Sequence, residues 1–576
     1  MTWLLNDPAD FAREALEGFC AAHPEYVQAV RGGVLRATAS PEGEVALVVG
    51  GGSGHYPAFA GWVGPGMAHA AVCGNLFASP SASQAHSVVS SVDNGGGVVL
   101  AFGNYAGDVL HFGQAAERLR AEGVDVRVVT VSDDVASNTP DKHRDRRGIA
   151  GDLPVVKTMG AAIARGADLD EVERLGWKAN DATRTLGVAF DGCTLPGQDA
   201  PLFSLRERRM GVGLGIHGEP GVREEPLASA AEVADLLVDG VLAEEPSRGA
   251  GYAGRAAVIL NGLGTVKYEE LFVVYRRVAQ RLQDAGITPV QPEVGELVTS
   301  LDMAGLSLTL VYLDDELESL WVAPADTPAF RRGEVRPSAP RRPPLVEEEG
   351  GQEPVPPSSE ASRRAARTLL GHLEAVAESA KGHESHFATL DSVAGDGDHG
   401  QGMSFGSKAA HEAARAAVAE GAGARTTLVR AGAAWADAAG GTSGALWGAL
   451  LTAAGGALSD ESDETTKEDV IRAAEAGGQA VLRLGGAAVG DKTMVDALVP
   501  FLRTLRSEAS GGADEAWRAA ATHAHEAAES TADLVARRGR SRVLGERSLG
   551  TPDPGAISFA VLMSAVAERL GREETS

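Results

Sequence analysis

The chain has 576 residues, 44% of them hydrophobic and 23% charged, and a formal net charge of −27. Single cores rarely grow beyond about 250–300 residues, so this length requires more than one domain, and the composition is that of a soluble globular protein. So acidic a surface repels nucleic acid and anionic membranes and excludes both as general partners, although a local site can oppose the global field. The N-terminus carries no basic segment ahead of an apolar one, and no run reaches the ~18–20 apolar residues of a membrane span. Three widely spaced cysteines, Cys20, Cys73 and Cys193, form no CxxC pair and suit a reducing cytoplasm.

In chain order, β-branched runs predict strands at 45–49, 98–102, 126–131, 187–190, 257–260 and 308–313. Helices are expected between them, for example at 109–122 and 171–182. Strands alternating with helices predict α/β units around largely parallel sheet, here two subdomains within 1–330 that part near residue 183. Residues 331–360 hold seven of the 27 prolines and few bulky apolar residues, the composition of an extended linker. From 361 to 576 the texture changes to alanine-rich segments with a 3.6-residue period at 361–380, 407–420, 426–439, 467–481, 514–529 and 556–569. That pattern predicts an all-α domain.

The strand at 45–49 runs into Gly50-Gly51-Gly52-Ser53-Gly54-His55-Tyr56-Pro57. Glycines past a strand end let the backbone turn sharply and approach a ligand, but the dinucleotide register fails, because His55 stands where a third glycine belongs. The strand at 98–102 leads through Gly103-Asn104-Tyr105-Ala106-Gly107 to Asp108, which is either a helix N-cap or a functional carboxylate at the same edge. Gly211-Val212-Gly213-Leu214-Gly215-Ile216-His217 has glycine at every other position, one face bare of side chains, and a histidine at its end. Two histidines and an aspartate brought together could attack a carbonyl and move protons around free hydroxyls.

In the second half, Asp391, Asp396 and Asp398 fall within eight residues, with Gly395 and Gly397 flanking Asp396. Hard oxygen ligands grouped this way suit Mg²⁺ completed by phosphate oxygens, and the EF-hand pattern fails for want of its final glutamate. Gly440-Gly441-Thr442-Ser443-Gly444 lies between two helices and offers free N–H groups to an anion. Gly485 to Met494 imitates a Walker A loop, but Asp491 separates Gly490 from Lys492 and no strand precedes it. Gly539-Arg540 and Thr551-Pro552-Asp553-Pro554-Gly555-Ala556 read as a rigid loop before the last helix.

Six motifs, in order over nearly the whole length, resemble the dihydroxyacetone kinase family in its fused, ATP-dependent form. They are Gly-Gly-Gly-Ser-Gly-His at 50–55, Asn-Tyr-x-Gly-Asp at 104–108, Thr-Ser-Leu-Asp-Met-Ala-Gly at 299–305, Gly-Asp-Gly-Asp at 395–398, Gly-Asp-Lys-Thr-Met at 490–494 and Asp-Pro-Gly-Ala at 553–556. The resemblance implies that His217 forms a hemiaminal with a short ketose, that Asp108 accepts the proton of the attacking hydroxyl, and that His55 assists. Gly52, Ser53 and Gly54 would line the sugar pocket. It further implies two Mg²⁺ ions on Asp391, Asp396 and Asp398. ATP would lie against His399, Gly400, Gln401, Gly402, Thr442, Ser443, Gly485, Met494, Arg540, Asp553, Pro554 and Gly555, in a barrel of eight helices. A cytoplasmic homodimer is expected, with the linker letting the domains meet.

Two positions depart from the family. Tyr56 stands where a glutamate is frequent, and Gly103 where dihydroxyacetone enzymes carry a substrate-contacting lysine. Both are expected beside the sugar pocket, opening it to the four-carbon ketose erythrulose. Otherwise another residue replaces the lysine and dihydroxyacetone remains the substrate. The alternatives are a phosphotransferase recharged by a carrier protein, against which the fusion of the domains argues, and a non-catalytic sensor, against which the intact histidine and aspartates argue. A cyclase side activity at the metal site stays open.

Overall fold

The computed structural model describes residues 4–217, 221–249, 251–333, 354–393, 395–538 and 546–573. Most of the expected linker, and Arg540, lie outside the described residues. The chain divides into two compact units, Met1–Pro340 and Arg341–Ser576. No described helix is long and apolar enough to cross a membrane.

The first unit holds two sheets with helices packed on them. In the first sheet the spatial order is Val27–Val30, Gly33–Arg36, Ala70–Leu76, Ala46–Ser53, Val98–Gly103 and Val126–Val131. The last four strands run parallel, and the first two form an antiparallel hairpin at the edge. Its central strands are buried on both faces. Leu47 and Val49 face one apolar core while Ala46 and Val48 face another, which is why these segments read as unbroken apolar runs.

The second sheet corrects the expectation of parallel strands. Its long members Arg255–Gly262, Ala304–Leu313 and Thr183–Asp191 pair antiparallel, as does Arg209–Val212 beyond them. Only the short strands Thr288–Pro289 and Glu293–Gly295 join in parallel. The runs at 187–190 and 257–260 carry no sign of direction, because a strand buried on both faces is apolar whichever way its neighbour runs. The strand Ala304–Leu313 does carry one. Leu306, Leu308 and Leu310 alternate with Ser307 and Thr309, the period-two pattern frequent in antiparallel sheet. The leucines pack under the helices Ala230–Leu242 and Tyr268–Asp284.

The polar face of that strand joins the two subdomains. The Thr309 and Thr185 hydroxyls lie 2.8 Å apart, both without solvent exposure. Thr185 also hydrogen-bonds Asp133, which follows the last strand of the first sheet. Asp133 accepts the N–H groups of Ile149 at 2.8 Å and Gly151 at 2.7 Å. Nearby, Arg146 grips Glu244 through both terminal nitrogens at 2.9 and 2.6 Å, and Arg184 reaches the same carboxylate at 2.8 Å.

The described residues of the second unit form helices and no strand. Eight are long: Glu360–Gly382, His399–Ala419, Ala424–Ala439, Gly441–Gly456, Lys467–Gly485, Val495–Ser507, Ala513–Ser530 and Pro554–Glu573. The short Glu384–Ser392 has 9 residues. The alanine and glycine content lets these helices approach closely. A Cβ on Gly406 would stand 2.5 Å from the Trp435 indole nitrogen, and Trp435 stacks on Trp447 at 4.9 Å. Val495–Ser507 is a helix beyond those expected from sequence, because its interior proline, Pro500, has poor helix propensity. Burial of Val495, Leu498, Phe501 and Leu505 overrides that local preference.

The hydroxyl chain gives a stability test. Thr185→Val takes a donor from the buried Asp133 carboxylate and should cost about 1–3 kcal/mol, whereas Thr309→Val breaks a hydroxyl pair and should cost about 1 kcal/mol. Urea unfolding of the full-length variants measures the order; equal losses would deny Asp133 its place at the end of the chain.

Candidate active site

Two groups of functional side chains stand out, one in each unit. In the first unit the strand Ala46–Ser53 delivers the glycine run at the carboxyl edge of the sheet. A Cβ on Gly51 would lie 2.5 Å from the Phe59 ring, and one on Gly52 would lie 2.8 Å from the Ala78 nitrogen. Gly54 has φ +102°, in the region that disfavours side chains. Glycine therefore lets the Phe77–Ala78 turn close onto this loop, and the Phe77 ring stacks on His55 at 5.0 Å.

His55 is 1% exposed. Its Nδ1 lies 2.8 Å from the Thr299 carbonyl oxygen and its Nε2 lies 2.9 Å from Nε2 of His217. A carbonyl only accepts, so Nδ1 of His55 carries a proton and donates it. In the neutral ring Nε2 is then an acceptor, and His217 Nε2 donates to it. The His217 ring is held edge-on by His55 and Tyr105, each at 4.6 Å, and by Phe77 at 5.5 Å. The segment 299–301 ties both histidine loops together. Thr299 N–H donates to the His55 carbonyl at 3.2 Å, Leu301 N–H to Gly54 at 2.9 Å, and the Ser300 hydroxyl to the Ile216 carbonyl. The role of this Thr-Ser-Leu segment is not legible in the sequence, because its partners are more than eighty residues away.

Asp108 is not the helix cap. Tyr105 holds that position ahead of Ala106–Ala121, and Asp108 sits in the first turn. Its carboxylate is 7% exposed and Oδ1 accepts no hydrogen bond. Burial raises its pKa, opposed by a hydrogen bond from Ser79 and by the His217 charge. Gly103 lies beside this cluster, and a Cβ there would come within 3.2 Å of the Tyr105 ring. The Tyr56 ring is half exposed, meets Phe19 of the N-terminal helix at 6.0 Å and borders a cavity lined also by Gly52, Ser53 and Gly54. Of the two departures from the family, Gly103 adjoins Tyr105 and Tyr56 follows His55, the two residues that hold the His217 ring at 4.6 Å.

In the second unit Asp391 ends the helix Glu384–Ser392. Gly397, with φ +80°, turns the chain back so that its N–H donates to the Asp391 carboxylate at 2.8 Å. A Cβ on Gly395 would lie 2.3 Å from Asp391 Oδ1. Asp398 occupies the N-cap of His399–Ala419, yet its side chain makes no cap hydrogen bond. One oxygen from each of Asp391, Asp396 and Asp398 lies within 4.8 Å of the others. A compact set of hard oxygens fits Mg²⁺.

A cleft of about 460 Å³ adjoins the three aspartates. His399, Gln401, Gly402, Thr442, Ser443, Gly485, Met494, Asp553, Pro554 and Gly555 all line it. Gly400 differs from this group. It is buried, and a Cβ there would lie 2.0 Å from the Glu384 carbonyl oxygen, so it serves close helix packing. The starts of four helices border the cleft: His399–Ala419, Gly441–Gly456, Val495–Ser507 and Pro554–Glu573. Unsatisfied N–H groups and aligned peptide dipoles make each a positive end, and together they suit a polyanion. His399 bridges two of these helices, with Nε2 2.9 Å from the Ser558 hydroxyl and Nδ1 3.3 Å from that of Ser443. Burial lowers its pKa and keeps it neutral. Asp553 caps the last helix through the Ala556 N–H at 2.7 Å, and burial pushes its pKa up to about 7. Lys492 and Thr493 also line the cleft, and neither was singled out as a site residue from sequence.

Each of the two units matches a known domain family. The Dak1 domain family matches residues 17–329 and the DAK2 domain family residues 393–568. The L-erythrulose 1-kinase of Mycolicibacterium smegmatis is 63% identical over 573 residues, covering 99% of this chain and 100% of that protein. A D-erythrulose kinase of the same organism is 52% identical over 576 residues, covering 99% of this chain and 98% of its own length. The crystal structure of the dihydroxyacetone kinase from C. freundii in complex with AMP-PNP and Mg²⁺ aligns with a TM-score of 0.60 at 31% identity, covering 98% of this chain and 99% of that one. The chain therefore belongs to the dihydroxyacetone kinase family, with a Dak1 and a DAK2 domain on one polypeptide.

Proposed function

We propose that this ATP-dependent ketose kinase acts on L-erythrulose, moving the γ-phosphoryl group of ATP to a terminal hydroxyl while the sugar is held as a hemiaminal on His217. The observation that carries the reading is the cluster of the buried His55 and Asp108 with the half-buried His217, one Asp108 oxygen being left without a hydrogen bond. The L configuration is favoured by the relative named for it at 63% identity, against 52% for the relative named for the D sugar. Gly103, which leaves no side chain beside Tyr105, suits a ketose one carbon longer than dihydroxyacetone.

In this reading His217 Nε2 bonds to the ketone carbon as His55 Nε2 takes its proton, and that proton passes to the ketone oxygen. A polyol such as glycerol has no carbonyl carbon to attack. Asp108 Oδ1 accepts the proton of the hydroxyl that attacks phosphorus. Gly52, Ser53 and Gly54 line the sugar pocket. Asp391, Asp396 and Asp398 would hold two Mg²⁺ ions, which neutralise phosphate charge when bound. The four helix starts, with the cleft residues named above, hold the nucleotide. A cytoplasmic homodimer completes the proposal and rests on the family resemblance.

Release of ADP from Mg-ATP with L-erythrulose, D-erythrulose, dihydroxyacetone or glycerol tests the substrate. The expected result is kcat/KM for L-erythrulose at least tenfold above the others (~1.4 kcal/mol of transition-state preference). A lead for dihydroxyacetone would return the chain to the three-carbon substrate, and no turnover with any ketose would end the kinase reading.

Asp108 must be ionised to accept a proton, and burial raises its pKa. Activity should therefore fall as pH drops, with an acid limb above the ordinary carboxylate range near ~4. Ser79→Ala removes a hydrogen bond that favours the ionised form, so the limb should move to higher pH. Asp108→Asn should lower kcat by about 10²–10⁴. A limb unmoved by Ser79→Ala would assign it to another group.

Asp391→Asn keeps an acceptor for the Gly397 N–H and should melt no earlier than the parent. Isothermal calorimetry should show Mg²⁺-dependent ATP binding weakened at least tenfold; unchanged binding would remove Asp391 from the metal site.

A further inference from the structure

The loop from Gly485 to Met494 imitates a phosphate-binding loop, but a helix, Lys467–Gly485, precedes it. Its lysine turns inward. Lys492 is 4% exposed and has φ +62°, a conformation that L side chains rarely adopt. An ammonium group is costly to bury unless it is hydrogen-bonded or paired. Here it donates to two main-chain carbonyls, that of Leu534 at 3.0 Å and that of Ser548.

The surrounding bonds turn this contact into a clamp. The Asp496 carboxylate accepts the N–H groups of Gly490 and of Thr493, the latter at 2.7 Å, and so stiffens the loop on either side of Lys492. Asp491 adds a second tie, its carbonyl accepting the Arg537 N–H at 3.1 Å. Leu534 and Arg537 lie on one limb of the segment that enters the helix Pro554–Glu573, and Ser548 lies on the other. The two limbs also meet directly, through the Ala536 N–H and the Ser548 hydroxyl at 3.3 Å. Five residues beyond Ser548, Asp553, Pro554 and Gly555 form part of the cleft wall. Both of the ammonium's hydrogen-bond acceptors are main-chain carbonyls, and the Asp553 and Asp533 carboxylates lie near enough to favour its charge, which suits a structural cation better than one reserved for phosphate.

We propose that Lys492 is a positioning residue for the nucleotide: by holding the Leu534 and Ser548 carbonyls it sets where the Asp553-Pro554-Gly555 helix start meets the bound phosphates. The proposal rests on the kinase reading, which is secured beforehand by turnover of a ketose with Mg-ATP in the parent protein.

The test is initial-rate kinetics of full-length Lys492→Met, with Mg-ATP and ketose varied separately. The expected result is a rise of at least tenfold in KM for Mg-ATP, with kcat within threefold of the parent and KM for the ketose unchanged. Lys492→Arg keeps donors for both carbonyls and should recover most of the loss. An unchanged KM for Mg-ATP overturns the proposal, as does an equal rise for both substrates. A hundredfold fall in kcat at constant KM also overturns it, by making the lysine a phosphate contact. If Lys492→Met does not fold, Lys492→Gln, which is shorter and cannot hold both carbonyls, carries the test: a rise in KM for Mg-ATP only is then expected, and parental values for both substrates overturn the idea.

Discussion

The 2.9 Å contact between the Nε2 atoms of His55 and His217 joins loops 162 residues apart in the chain. It forms only if the strand Ala46–Ser53 ends in residues small enough for the Phe77 turn to cover His55, and only if Thr299 orients the ring from the other side. Once Nδ1 of His55 is committed to a carbonyl, the proton arrangement of the pair follows. If His217 is the nucleophile proposed above, it faces an acceptor already placed to take its proton. Asp108 completes the group by being buried without full hydrogen bonding, which is costly for a carboxylate and leaves an oxygen available for a substrate hydroxyl.

The two α/β subdomains are locked where this pair needs them locked. Thr309, Thr185 and Asp133 form a buried polar chain across their boundary, and Arg146, Arg184 and Glu244 add a charged one. Beside them Arg147 pairs with Asp134 at 2.7 Å and donates to the Gly213 carbonyl at 3.1 Å, at the start of the turn that carries His217. Rotation of one subdomain against the other would break these bonds before it separated the histidines.

The second unit solves the opposite electrostatic problem on an acidic protein. Three carboxylates within 4.8 Å repel one another until a cation arrives, so the fold must impose their approach. Gly395 and Gly397 allow it, one by lacking a Cβ and the other by its left-handed backbone. The positive ends of four helices border the same cleft and, with a cation on the aspartates, would favour a polyanion locally despite a net charge of −27.

By itself the sequence determined the class of each half and pointed to the candidate metal-site and reacting side chains, because these depend on local pattern. Strand and helix periodicity, the Asp-x-Asp spacing between glycines and the glycine run before His55 all lie within short windows. What depended on distant partners was decided only by the tertiary structure. The direction of the second sheet came from its connections, although Leu306, Leu308 and Leu310 alternating with Ser307 and Thr309 hinted at it. Asp108 was separated from an ordinary cap by its burial and by Tyr105 taking the cap position. The Tyr56 ring met Phe19, Gly400 served helix packing, and Lys492 pointed at carbonyls far along the chain. A residue's type limits what it can do; whether it does so is set by which groups desolvate and hydrogen-bond it, and those come from elsewhere in the fold.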